Sequence, residues 1–178
     1  KGFNEQQTKN YLKNVEATES SGQLGIENRF GFMGRYQFGA EALVDQGLIH
    51  GDKLKAARAK YGSDREWYAK GHKEFLADNS NWKIAGGKST FLSSEQLQDK
   101  AMIGLTSDNI SRGIDKGAIH ANSDTATIAG FAKAAHLKGW KGATDLFLRG
   151  IDSKDANGTS ASLYAAQGAA AINGTSIS

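Results

Sequence analysis

Glu19 and Glu27 stand out among the carboxylates of the stretch Val15 to Gly39, VEATESSGQLGIENRFGFMGRYQFG, ahead of an aromatic run punctuated by glycine. A carboxyl group beside apolar and aromatic side chains has its pKa raised toward neutrality, because burial disfavours the charged form. Such a group can protonate a leaving oxygen at neutral pH. Two carboxyls flanking one bond are the equipment of glycoside hydrolysis: one protonates the leaving oxygen, the other acts as nucleophile or activates water. Each has a plainer alternative. A glutamate at a helix end is as a rule a solvated charge, and Glu27, in a loop, has Arg29 and Arg35 as ion-pair partners within reach. Glu27 lies more than one helical turn beyond Glu19, so only a fold-back of the loop brings the two together.

The run RFGFMGRYQFG, Arg29 to Gly39, reads as packed core or as a surface that receives a ligand. Its glycines argue for backbone held close to something else. Gln37 carries both a donor and an acceptor suited to a sugar's acetamido or hydroxyl groups, and Tyr36 suits stacking on, or hydrogen bonding to, a sugar ring. His136 closes an apolar helical segment, where the default is a core histidine or one favoured by the helix dipole. His50, His72, His120 and His136 show no metal-ligand spacing. No metal and no cofactor is assigned. Asp155-Ala156-Asn157-Gly158 has the start of a calcium loop without its downstream glutamate, so a turn is expected there.

The elements that must position these groups are mostly helical. Proline is absent and 22 glycines punctuate the chain. A first helix is expected from about Asn4 to Thr18, with Asn4 and Gln7 in capping-box positions and Tyr11, Leu12 and Val15 on one face with Glu19. Ser20 to Gly34 reads as a loop or a short irregular hairpin. A helix is expected to open at Tyr36-Gln37-Phe38 and run to Gly47, a short one to start at Asp52, and another to be capped by Ser63 or Asp64 through Trp67, Phe75 and Leu76. Asn79 to Thr90 reads as a loop or single turn with Trp82 and Ile84 tucked inward. Ser93 and Gln96 form the expected capping box of a long central helix in which Gly104 and Gly113 mark close packing. Ser123 is the expected cap of the segment ATIAGFAKAAHLKG. A further helix spans Trp140 to Arg149, and a weak last one Leu163 to Ala171. Residues 173–178 read as a frayed tail. The fold class is therefore mainly α, one domain over residues 1–178 with roughly seven to nine helices.

At 178 residues the chain is long enough to bury a core, roughly 70% of its unfolded surface, without staples. It has no cysteine, which excludes disulfides and thiolate chemistry. The formal charge is +3 from 22 basic and 19 acidic residues, dispersed rather than gathered in a basic stripe. That argues against nucleic acid as a partner and leaves a mild preference for an anionic polymer. No apolar run approaches a membrane span, and the amino terminus does not resemble a signal peptide. Lys1 in place of Met suggests a piece of a longer protein, with any export specified elsewhere.

In order along the chain, Glu19-Ser20-Ser21-Gly22, Gly34-Arg35-Tyr36-Gln37 and Ala134-Ala135-His136-Leu137 resemble the motifs of the lysozyme-like superfamily. The likeness is on the side of goose-type lysozymes and soluble lytic transglycosylases. The variant GRYQFG, with AAHLKG and the closing DANGTSASLY, is similar to lysozyme domains of phage tails and type VI secretion effectors. The resemblance implies a lysozyme-like helical domain that cleaves peptidoglycan between N-acetylmuramic acid and N-acetylglucosamine. It implies Glu19 as general acid and Tyr36 and Gln37 as residues of the sugar cleft, with Glu27 carried over only as the candidate second carboxylate; Ser20, Phe32 and His136 are further residues expected to help shape that cleft. It also implies action in the bacterial periplasm or cell wall after delivery by a secretion or phage-tail apparatus, with an immunity protein or that apparatus as possible partner. His136 stands where related sequences carry a tyrosine-containing motif. A lytic transglycosylase, in which the substrate's own 6-hydroxyl attacks, and a non-catalytic wall-binding module are the alternatives.

Overall fold

Asn4 and Gln7 start the first helix by satisfying each other. The Asn4 side chain accepts from the Gln7 N–H at 2.8 Å, and the Gln7 side chain accepts from the Asn4 N–H at 3.0 Å. This reciprocal cap opens α1, Glu5–Glu19, which buries Tyr11 and Val15 and has Glu19 as its last residue. The computed structural model describes residues 3–154 and 158–174. The described residues are mainly helical, as expected, and their β pairing is confined to isolated bridges. The chain divides into two compact units, Glu16–Leu105 and Lys1–Val15 with Thr106–Ser178.

The unit Glu16–Leu105 begins with the last turn of α1 and continues into a small meander centred on Met33. Met33 pairs antiparallel with Glu27 on one side and Phe38 on the other. Residues 36–38 are therefore not the start of a helix, contrary to the spacing. The Phe38 N–H and C=O are committed to Met33, at 2.8 and 3.1 Å, and Gln37 sits at φ 55°, outside the helical region. Helix α2, Ala40–Asp45, starts only after Gly39, and α3, Gly51–Arg58, follows.

Ser63 caps α4, Asp64–Glu66, by accepting from the Glu66 N–H at 3.2 Å. The expected single helix then widens into a π-helical turn, Trp67–Gly71, before α5, His72–Ala77. Such a turn inserts one residue into the helical repeat, and Trp67, Gly71 and His72 are all buried there. Gly71 has no room for a Cβ, which would lie 2.6 Å from the Tyr61 ring.

Beyond it the expected loop holds a 3₁₀ turn, Asn79–Asn81, and a short helix α6, Gly87–Leu92. Trp82 is buried, donates Nε1 to the Leu76 carbonyl at 2.8 Å and packs on Phe91, which meets Phe38 edge-on. The long helix α7, Glu95–Asp115, is capped by Ser94, whose Oγ accepts from the Leu97 N–H at 3.1 Å. Ser93 instead bonds back to the carbonyls of Ser89 and Thr90. Gly104 does mark close packing: a Cβ there would collide with Gln46 Oε1.

In the other unit Gly113 of α7 faces the Phe131 ring, 2.5 Å from where its Cβ would be. Helix α8, Thr125–Arg149, is capped by Asp124, which accepts from the Thr127 N–H at 2.7 Å. Ser123, the expected cap, takes the His120 N–H instead. Gly139 interrupts α8 at φ 75°, ψ 166°, so the two helices expected on either side of it form one element with a break.

Helix α9, Ala161–Ala171, is capped by Ser160 and starts two residues before Leu163. It lies backbone to backbone with α8. A Cβ on Gly130 would come within 2.8 Å of the Ala165 carbonyl, and one on Gly168 within 2.6 Å of the Ala129 carbonyl. Ile119, Ile128, Phe131, Ala134, Ala135 and Ala143 form this unit's core. The buried ammonium of Lys133 is held by Asn14 and Gln167 and lies over the Tyr164 ring. Residues 155–157 of the expected Asp155–Gly158 turn and 175–178 of the expected frayed tail lie outside the described residues. Asn173 and Gly174 form a turn that closes α9.

Candidate active site

Glu19 is half-buried on the final residue of α1, and the chain turns sharply after it. Ser21 at φ 55° and Gly22 at φ 82° both occupy the left-handed region, which ends the helix. Ser20, between Glu19 and that turn, is only 5% exposed. Its Oγ donates to the Arg35 carbonyl at 2.6 Å and accepts from the Gly22 N–H at 3.1 Å. One side chain thus joins the end of α1 to the GRYQ segment.

That segment is a tight turn. The Gln37 N–H and its side-chain Nε2 both donate to the Gly34 carbonyl, each at 3.1 Å. The half-buried amide of Gln37 is therefore tied to the turn it belongs to, at a left-handed backbone position unusual for a residue with a side chain. Tyr36 is 1% exposed, its ring edge-on to Phe38 and its hydroxyl donating to Asp99 Oδ1 at 2.6 Å. Burial, followed by the Asp99 hydrogen bond, pushes its pKa far above the usual phenol range. It stays protonated, and its ring is turned into the unit rather than toward solvent.

Phe32 stacks on Tyr68 at 5.5 Å and leans on His72 at 4.8 Å. Glu27 forms its ion pair with Lys88, at 3.2 Å, and not with Arg29 or Arg35. Arg29 lies over the Phe30 ring, and Arg35 binds Glu16, Glu95 and Asp99. Glu27 is held in place by its backbone bridge to Met33, inside the meander that also carries GRYQ. Ser20, Glu27, Phe32, Tyr36 and Gln37 thus all belong, with Glu19, to the unit Glu16–Leu105. His136, on α8, belongs to the other unit, where it is half-buried with Nδ1 shielded from solvent.

Three residues of this region escaped the sequence reading. Gln98, fully buried, accepts from the Arg35 N–H at 2.8 Å and donates to the carbonyls of Leu24 and Phe91 at 3.1 and 3.0 Å. It also explains Gly34, whose Cβ would lie 2.5 Å from the Gln98 oxygen. Gln98, Met102 and Leu105 are buried at helical spacing on α7. A polar residue on an apolar stripe was the available signal.

His72, fully buried, spans the Phe30–Ala40 segment: Nδ1 meets the Phe30 carbonyl at 2.7 Å and Nε2 accepts the Ala40 N–H at 3.0 Å. A carbonyl can only accept and an amide N–H can only donate, so the imidazole is neutral with its proton on Nδ1. Burial lowers its pKa, against the opposing pull of the Phe30 carbonyl. Glu16 is the third, through its pairing with Arg35.

Among the described residues no group of three or more His, Cys, Asp or Glu side chains is arranged to hold a metal ion. No described helix is long and apolar enough to cross a membrane. No protein-family model, curated protein or solved structure matches the chain.

Proposed function

We propose that this chain is a muramidase, cleaving the peptidoglycan strand between N-acetylmuramic acid and N-acetylglucosamine with Glu19 as general acid. The observation that carries the reading is the Ser20–Arg35 hydrogen bond at 2.6 Å. Two of the three motifs behind the lysozyme-like resemblance are thereby held against each other, so the acid and the GRYQ turn form one structural piece. Glu19 donates its proton to the glycosidic oxygen as the bond from the anomeric carbon to that oxygen breaks, and the leaving sugar departs as the alcohol. Water adds to the anomeric carbon, with Glu27 as the candidate base that takes its proton. Gln37 offers what remains of its amide to the glycan at the rim of the turn. The buried Tyr36 anchors that turn through Asp99, Phe32 packs on Tyr68 and His72 in the same unit, and Ser20 keeps Glu19 in register with the turn. His136 enters the reading through the AAHL motif alone. The same resemblance favours action in the bacterial periplasm or cell wall after delivery by a secretion or phage-tail apparatus.

A second reading, a lytic transglycosylase, is favoured by one observation. Glu27 is engaged by Lys88 at 3.2 Å, and a carboxylate so paired is a poorer activator of water. Attack by the substrate's own 6-hydroxyl then closes an anhydro ring in place of hydrolysis. Mass spectrometry of muropeptides released from purified sacculi separates the two by hydrated against anhydro ends. The muramidase reading expects soluble fragments from the wild type and a loss of about 10²-fold or more for Glu19→Gln. Full lysis by a folded Glu19→Gln chain would remove Glu19 from the chemistry. Sedimentation with the wall and no released fragment would make the chain a binding module.

A further inference from the structure

Glu19 occupies an electrostatically poor place for a group that must be held still. Helix C-termini fray, their last carbonyls lack intrahelical partners, and the helix dipole disfavours negative charge there. Helix α1 has no basic residue in its last turn, where Glu16 precedes Glu19 by one turn. The missing positive charge comes from outside the helix. Arg35 donates Nε and Nη2 to Glu16 Oε2 at 3.2 and 2.7 Å, and Nη1 to Glu95 Oε2 at 2.8 Å with Asp99 Oδ1 at 3.5 Å. Its carbonyl holds Ser20, and its N–H is held by Gln98. Arg35 therefore grips α1 on both sides of Glu19, through the side chain of Glu16 and the hydroxyl of Ser20. The guanidinium is 15% exposed, so this pairing is sheltered from most of the screening that weakens surface ion pairs.

We propose that Arg35 is the positioning residue for the general acid: its side chain fixes the last turn of α1 so that Glu19 meets the glycosidic oxygen. The proposal rests on the muramidase reading. It deepens that reading by naming a residue that acts through Glu19 without touching the substrate. The planar guanidinium matters as much as the charge, because Nε and Nη2 converge on the one oxygen Glu16 Oε2 and fix where it lies, where a lysine ammonium sets only its distance.

The test is steady-state cleavage of soluble, uncross-linked glycan strands by the chain carrying Arg35→Lys, Arg35→Gln, Glu16→Gln or the Arg35→Gln/Glu16→Gln pair, each checked for fold by circular dichroism and melting temperature. A misplaced acid costs turnover and not binding. Arg35→Gln is expected to lower kcat about 10- to 100-fold with KM within about 2-fold of wild type. Arg35→Lys is expected to recover part of that loss, and the double variant to be no slower than Arg35→Gln alone, because the two side chains act as a unit. Glu16→Gln keeps the test open should Arg35→Gln fold poorly.

Unchanged kcat in a folded Arg35→Gln chain would overturn the proposal. So would a rise in KM at constant kcat, which would make Arg35 a substrate contact, or losses that multiply in the double variant. A wild-type chain that releases no fragments sinks the muramidase reading itself and the positioning role with it. Cleavage that depends on Glu19 and ignores Arg35 sinks the positioning role alone.

Discussion

Ser20 Oγ donates to the carbonyl of Arg35 at 2.6 Å, joining the residue after Glu19 to the second residue of the GRYQ turn. The bond lies in a nearly closed environment, with Ser20 5% exposed. Removing it leaves a sheltered carbonyl without this donor, and buried groups left unsatisfied are costlier than hydrogen bonds are stabilising.

Ser20→Ala is therefore expected to lower the unfolding free energy by about 1–3 kcal/mol. The Gly22 N–H loses its acceptor in the same change. Urea denaturation gives the stability, and fragment release from sacculi gives the activity, expected to fall about 10-fold or more as the turn and the helix end come out of register. A variant with wild-type stability and wild-type lysis would show that the bond contributes nothing to either.

The local part of this architecture was legible, and the long-range part was not. The Asn4–Gln7 cap, the Ser63 cap, the break at Gly139 and the helix end at Glu19 all depend on residues a few positions apart, where side-chain chemistry decides. Tyr36 to Phe38 was misread as helix because Tyr, Gln and Phe tolerate one, while the backbone bonds of Phe38 to Met33 belong to a pairing that spacing alone does not announce. The partners of Arg35 are similarly remote: Glu16 lies 19 residues back and Gln98 63 residues on. Charge pairing of Glu27 with the nearest arginines was a reasonable local expectation, and folding chose Lys88, 61 residues away, instead.

His72 makes the stability of the Glu16–Leu105 unit depend on pH. Its pKa is lowered from the ordinary value of 6.5, first by burial, and the nearby Arg58 charge acts in the same direction. The Phe30 carbonyl and the Glu27 charge oppose the shift without reversing it. The unfolded chain therefore binds this proton more readily than the folded one, so the stability His72 confers is complete above pH 6.5 and is lost as pH falls below it. Asp78, Asp124 and Asp152 are lowered from 3.8 by their own hydrogen bonds and act in a more acidic window. Unfolding free energies measured between pH 5 and 7 are expected to rise with pH, and His72→Phe is expected to flatten that rise. The same variant loses about 1–3 kcal/mol for each of the Ala40 N–H and Phe30 carbonyl left without a partner. An unchanged slope in a folded His72→Phe chain would assign the pH dependence elsewhere.

Two glycines separate close packing from ordinary flexibility. Gly168→Ala pushes a methyl group to 2.6 Å from the Ala129 carbonyl, a backbone atom that cannot swing aside. A loss of about 1–3 kcal/mol is expected from overpacking between α8 and α9. Gly25 has nothing within 4 Å of its would-be Cβ and no positive φ. Gly25→Ala is expected to be neutral or to stabilise by about 0.4–1 kcal/mol, by restricting the unfolded chain. Thermal melts of the two variants side by side test the contrast, and equal effects would contradict the packing at Gly168.

Gln98→Met keeps the length and bulk of the side chain while removing every hydrogen bond it makes. The Arg35 N–H loses its acceptor, and the carbonyls of Leu24 and Phe91 lose a donor. Because Gln98 is fully buried, water cannot take over these bonds without opening the structure. A destabilisation of about 2–5 kcal/mol is expected, larger than for Ser20→Ala because the Gln98 amide makes three separate hydrogen bonds, whereas the one hydroxyl proton of Ser20 is shared between the Arg35 and Glu16 carbonyls. Hydrogen exchange reads the consequence where it should be most local: the Arg35 amide is expected to lose protection more than amides of α9 in the other unit. Equal loss at both places would mean that Gln98 contributes general stability, and unchanged protection at Arg35 would mean that the amide does not hold the turn.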